Sequence, residues 1–136
     1  MASDRAVPQA AWSNDAGSAT AEFTMVVVLL TVLTLAVLQL GLALFVRNTV
    51  LDTAAEGARF AALAGNSLDD GVARTRELLR LTVGDAYTEN ITADYAWFQG
   101  QPSTEIRVVA PLPVLGLLGP GRSLEVAGHA PVEVVD

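Results

Sequence analysis

The residues whose types and spacing could do chemistry lie together near one end of the chain. Gly17 and Ser18 stand five and four residues before Glu22, and from Phe23 to Val46 the sequence then runs 24 residues without a charge before Arg47 closes the run. A glycine offers no side-chain obstacle to close approach along its backbone, which makes Gly17, five residues before that carboxylate, worth singling out. A carboxylate at the mouth of an apolar run is costly to desolvate, which makes Glu22 a candidate for pairing with a cation. The plainer alternatives are an ordinary linker glycine and a carboxylate that only bounds the segment at the water interface.

Inside the run the polar residues are few. Thr24, Thr31 and Thr34 can satisfy their hydroxyls on their own helix backbone. Gln39 is more pointed, because an amide in lipid seeks a partner and can join helices. Gly41 and Ala43 would allow close packing, although no GxxxG is present.

The rest of the sequence holds little chemistry. His129 is the only histidine. No G-x-S-x-G accompanies it, and no second ligand is spaced to share a metal with it, so it reads as a solvated strand residue. No catalytic, cofactor-binding or metal-binding residues are expected. Without cysteine the chain has no disulfide and no thiolate ligand, and a net charge of −7 argues against nucleic acid as a partner. Asn90-Ile91-Thr92 matches a glycosylation sequon too short and common to carry weight.

These residues must be positioned by elements. As a helix, 24 residues span ~36 Å, against a bilayer core of ~30 Å, so the Phe23–Val46 run is long enough to cross. A cleaved secretory signal would have a shorter apolar core and a small-x-small exit. Met1 to Gly17 is polar, contains Pro8 and lacks periodicity, which reads as an unstructured leader. Ser18 to about Ala64 reads as one proline-free helix. Beyond Arg47 it turns amphipathic, with Val50, Leu51, Ala54, Ala55, Ala58, Ala61 and Ala62 on one side and Asp52, Glu56 and Arg59 on the other. The alanines could admit neighbouring helices or this chain's own sheet. Gly65-Asn66 is a stop.

Ser67 is a cap for a second helix, with Asp69 and Asp70 in its first turn. Its buried stripe is Leu68, Val72, Thr75, Leu79 and Val83; Asp70 and Arg74 are spaced to pair, and Gly84 ends it. Three period-2 stretches follow, Ile91–Trp97, Thr104–Ala110 and Leu124–Val134, with a turn at Gln99-Gly100-Gln101-Pro102. Pro131 favours an edge or a bulge for the third. The uncharged Pro111–Pro120 stretch between the last two strands could meet a membrane surface or a partner, or fill a gap in the core. The expected fold is α+β: a long N-terminal membrane-spanning helix continuing into a small domain with one further helix and a three-stranded antiparallel sheet.

The junction Ala16-Gly17-Ser18-Ala19-Thr20-Ala21-Glu22-Phe23 resembles the cleavage site of a type IV prepilin. In that superfamily a short polar leader ends in Gly, a membrane peptidase cuts after it, and the fifth mature residue is Glu. The small residues after the cut, with the second block Val46-Arg47-Asn48-Thr49-Val50 and Ala54-Ala55-Glu56-Gly57-Ala58-Arg59, resemble TadE-like minor pilins of tight-adherence (Tad/Flp) pili, over about Gly17 to Ala64. The resemblance implies a leader 1–17, a long helix 18–64 with its transmembrane part at 23–46, and an extracytoplasmic head 65–136. It implies cleavage between Gly17 and Ser18, and assembly through Glu22, Phe23 and Gln39, with Glu22 neutralising the freed amine of Ser18. The implied partners are the membrane, a prepilin peptidase, the major pilin and other minor pilins, and the pilus assembly platform proteins. The implied location is the cytoplasmic membrane, single-pass with the C-terminal head outside, and the cell-surface pilus beyond it. Charge alone sets orientation weakly: Arg5 and the terminal amine lie on one side, Arg47 on the other. The other reading is an unprocessed single-pass anchor whose head is an extracytoplasmic binding domain.

Overall fold

The computed structural model describes residues 10–113 and 123–133, with side chains from Asp15 onward. Two helices, α1 (Ala10–Ala62) and α2 (Leu68–Thr82), precede a single 3-10 turn at Asp85–Tyr87 and three strands, β1 (Asn90–Phe98), β2 (Gln101–Pro111) and β3 (Ser123–Pro131). The sheet is antiparallel in the order β1-β2-β3, so the expected α+β class is borne out. Helix α1 begins at Ala10, eight residues before the expected start at Ser18. Extending a helix already nucleated is cheap, and Ala10, Ala11 and Ala16 extend it readily.

The chain divides into two compact units, one up to Leu38 and one from Gln39 onward. In the first, every residue from Asp15 to Leu38 is exposed, Phe23 at 69% and Leu29 at 67%. Among the described residues nothing covers this apolar surface, as suits a helix whose solvent is lipid. Helix α1 is also the single described helix long and apolar enough to cross a membrane.

In the second unit the later part of α1 is core. Val46, Val50, Ala54, Ala58, Ala61 and Ala62 are buried with Leu79 of α2, Ile91 of β1, Ile106, Val108 and Ala110 of β2, and Leu124, Val126 and Ala130 of β3. The alanines therefore admit the chain's own sheet. At Gly128 an added Cβ would strike the backbone of Ala54 and Ala55. At the crossing of α1 and α2 an added Cβ on Gly57 would strike the Thr75 hydroxyl and lie 2.9 Å from the Gly71 carbonyl. Small residues thus set how closely the two helices and the sheet approach. The Thr104 hydroxyl donates to the Ala58 carbonyl at 2.8 Å, giving a buried threonine its partner.

Some predicted faces are corrected. Leu51 is exposed and Ala55 only half-buried, while Thr53 and Gly57 are buried in their place. Sheet contact selects the Val46–Val50–Ala54–Ala58 line, and Leu51 lies one residue, about 100° of helix, off it. Ser67 caps α2 as expected, but Asp70 is its capping-box partner: the Ser67 N–H and hydroxyl donate to the Asp70 carboxylate at 2.8 and 2.7 Å. Arg74 pairs forward with Glu77 at 3.1 Å. The Asp70–Arg74 pair does not form because the cap takes the carboxylate and holds it below its usual pKa. Along α2 the buried residues are Gly71, Thr75 and Leu79, with Leu68, Val72 and Val83 half-buried.

Strand β2 is central, and β3, with Pro131 at its end, is an edge. The predicted turn closes as a two-residue loop at Gln99 and Gly100, both with positive φ (52° and 78°), between paired Phe98 and Gln101. That is the dihedral sign pattern of a type I′ hairpin. Strand β3 ends three residues before the expected Val134, which lies outside the described residues.

Candidate functional site

The residues singled out around the junction all lie on α1. Gly17 sits on a helical backbone with open space around the position of a Cβ. The bond after it is thus exposed but helical, whereas a peptidase requires extended backbone, so one or two turns must unwind for cleavage. Asn14, Asp15 and Gly17 are poor helix formers beside Ser18.

Ser18 and Glu22 are one turn apart. The Ser18 hydroxyl donates to the Glu22 carboxylate at 3.4 Å, and both residues are exposed. The spacing puts the backbone nitrogen of Ser18 and the carboxylate of Glu22 on neighbouring turns. Phe23 follows, 69% exposed.

Thr20, Thr24, Thr31 and Thr34 each donate a hydroxyl to the carbonyl four residues back, at 2.8 to 2.9 Å. They are satisfied within the helix, as expected. Gln39 is half-buried and its amide makes no hydrogen bond among the described residues. It is the polar group of the apolar run that its own helix leaves unsatisfied.

A second constellation, not foreseen from the sequence, lies on the sheet face away from the helices. Glu105 on β2 is opposite His129 on β3, and their side chains, 18% and 19% exposed, meet at 2.7 Å. Arg107 joins Glu105 at 2.7 Å and also pairs with Glu125. The ring of Phe98 stacks on His129, centroids 4.3 Å apart and 12° from parallel. His129 is therefore not the solvated residue expected. The signal was present in the period-2 pattern, which places Glu105, Arg107, Glu125 and His129 on one face, but the pairing needs the strand register. Arg107 first, then His129, hold the Glu105 carboxyl below the usual carboxylate range, and the two carboxylates hold Arg107 above its own. Every polar group here is matched by another of this chain. The cluster ties β2 to β3. Among the described residues no three His, Asp or Glu side chains converge as metal ligands.

Comparison with known families matches residues 17–59 to the model of the TadE-like proteins, about a third of the 136-residue chain. The match begins at Gly17 and runs through Arg59, the stretch that carries both blocks of the resemblance. No curated protein and no solved structure matches the chain. The TadE-like resemblance is borne out over that stretch.

Proposed function

We propose that this chain is a TadE-like minor pilin or pseudopilin: a structural subunit of tight-adherence pilus assembly, cut between Gly17 and Ser18 by a prepilin peptidase. The observation that carries the reading is the coincidence of three things at one point. The TadE-like match starts at Gly17, a carboxylate follows five residues later, and the apolar run of α1, exposed among the described residues, begins at Phe23. Cleavage would put a free amine on Ser18, one helical turn from Glu22. In apolar surroundings a lone charge is far more costly than a pair, so the amine and Glu22, of one subunit or of neighbours, would fix subunit register.

Glu22, Phe23 and Gln39 are then assembly residues, the last through its unsatisfied amide. The head lies outside the cytoplasmic membrane in this reading. The partners are the peptidase, the platform proteins, the major pilin and sister minor pilins. The role is structural in this reading. An anchored, uncut binding domain is the competing reading; among the described residues the Glu105–Arg107–Glu125–His129 cluster is satisfied within the chain and gives it no support.

Glu22→Gln tests the reading. It keeps shape and hydrogen bonding but removes the charge. Removing one partner of a desolvated pair costs ~3–5 kcal/mol, so the variant should be inserted and cut yet fail to co-purify with other pilins. Normal assembly of Glu22→Gln would reduce Glu22 to a boundary residue.

A further inference from the structure

Most of the uncharged 111–120 stretch lies outside the described residues, and the open part of the described sheet is strand β1. Among the described residues β1 pairs with β2 alone, so its other side is a free edge. The two-residue loop at Gln99 and Gly100 fixes which backbone groups the sheet uses. Phe98 faces Gln101, so Asn90, Thr92, Asp94, Ala96 and Phe98 are the residues that exchange hydrogen bonds with β2. The alternate residues of β2 turn to β3, as the Pro102 carbonyl does in accepting from the Val132 N–H at 3.0 Å. Ile91, Ala93, Tyr95 and Trp97 therefore turn their N–H and C=O outward. The Tyr95 N–H shows it directly: it donates to the carboxylate of its own neighbour, Asp94, at 2.8 Å.

The two edges of the sheet are kept differently. On β3 the outward phase ends at Pro131, which has no N–H, and its Glu125 and His129 side chains are engaged with Arg107 and Glu105. Strand β1 runs in unbroken register from Asn90 to Phe98, with no proline and no bulge. Its interior holds one charge, Asp94, and that carboxylate is spent on the strand's own edge. Ile91 is buried in the core beside Leu79, but further along the same face Tyr95 and Trp97 are exposed. Open ladder groups beside two exposed aromatic rings make a template for a further strand. Only an extended polypeptide supplies alternating C=O and N–H groups at strand spacing.

Charge decides between candidates. A second copy of β1 fits poorly. Antiparallel registers that use at least three of the outward residues set the two Asp94 carboxylates opposite or diagonal to each other. Each Asp94 already stands across from Glu105, and like charges so placed repel. We propose that the Asp94–Phe98 half of β1 is a docking edge for an extended segment of another protein. That segment carries a lysine or arginine opposite Asp94 and aliphatic residues at the alternate positions, beside Tyr95 and Trp97. On docking, a partner carbonyl takes the Tyr95 N–H, and the released Asp94 pairs with the partner's cation. The undocked edge is blunted by the same carboxylate. The inference concerns the head alone and stands whether or not the junction is cut.

Tyr87 and Tyr95 are the two tyrosines of the chain. The full chain labelled with nitrogen-15 tyrosine, in detergent micelles, therefore shows one tyrosine amide at the docking edge and one as an internal control. The probe is the end-blocked peptide Thr-Val-Thr-Val-Lys-Val-Thr-Val-Thr, which puts its lysine on one strand face and its valines on the other. The Tyr95 amide should move downfield and exchange more slowly with water as peptide is added, while the Tyr87 amide stays in place. The same peptide N-methylated at the valines flanking lysine lacks the ladder donors and should leave Tyr95 unmoved. Glutamate in place of lysine should weaken binding about fivefold or more, and Asp94→Asn, which keeps an oxygen for the Tyr95 N–H, should abolish that difference. A Tyr95 amide that stays put at ~1 mM peptide overturns the proposal. Equal binding of the N-methylated peptide reduces the edge to an apolar patch, and a Tyr95 shift that grows with protein concentration alone assigns it to a second copy; each overturns it too. Should Asp94→Asn not fold, the lysine and glutamate peptides on the unaltered chain carry the comparison.

Discussion

At the residue scale, two kinds of side chain decide the head's stability, and both are small or charged where a sequence reader would expect bulk or solvent. Gly128 lets α1 lie directly on β3. In Gly128→Ala the new Cβ would stand 2.6 Å from the Ala55 Cα and closer still to the Ala54–Ala55 peptide. None of these atoms belongs to a flexible side chain, so the whole helix must shift. Overpacking of this kind costs ~1–3 kcal/mol or more, and urea unfolding of the full chain in detergent should show a loss at or above the upper end. Gly41→Ala, with open space around it, should show none.

Glu105 carries the other residue-scale expectation. Its pKa is depressed in the folded state, by Arg107 first and His129 second, so its contribution is fully present above the unfolded value near 4.5. It is lost as pH falls through the folded value. The head should therefore lose stability on acidification below about pH 4.5. Glu105→Gln should be weaker at neutral pH and flatter across the acid range. Urea midpoints at pH 7 and pH 3 for both proteins check this; equal pH slopes would remove Glu105 as the cause.

At the scale of elements, the sequence was legible where one local rule decided the outcome. Ser67, the acids behind it and Gly84 bracket α2 because a cap and a stop are properties of a few consecutive residues. The strands declared themselves by alternation, and Gln99-Gly100 by turn chemistry. What could not be read depended on which partner a face meets. Leu51 is exposed and Thr53 buried because the sheet contacts one side of α1, and hydrophobicity alone does not name that side. Tyr95 and Trp97 share a strand face with buried Ile91 yet are 64% and 77% exposed, because they lie near the hairpin end of β1. The Asp70–Arg74 spacing was right for a pair, but the cap competed for the same carboxylate. His129 needed the β2–β3 register to meet Glu105.

The hairpin offers a test at this scale. Gln99 has φ 52°, a conformation costly for most L-residues and better tolerated by asparagine. Gln99→Asn should stabilise the head by up to ~1 kcal/mol, read as a higher urea midpoint. A lower midpoint would mean that Gln99 makes a contribution beyond its backbone conformation.

At the scale of the whole molecule, one helix carries two kinds of surface. Up to Leu38 its apolar side chains are exposed, and from Val46 to Ala62 its small residues form the floor of the head. The TadE-like match, from 17 to 59, covers the candidate junction, the apolar run and most of that floor, and stops before α2 and the sheet. The part that resembles a known family is thus the helix, while the α2–sheet layer is legible from period and turns alone. The candidate site was legible because it is a linear junction: Gly17, Ser18 and Glu22 need no tertiary contact to be recognised.

The central claim is that this junction is cut. Intact mass and N-terminal sequencing of the protein, purified from membranes of cells that express a prepilin peptidase, measure it directly. The expected result is a chain that starts at Ser18, and a Gly17→Val variant that keeps all residues from Met1. A wild-type protein that retains Met1 to Gly17 in the presence of active peptidase would contradict it.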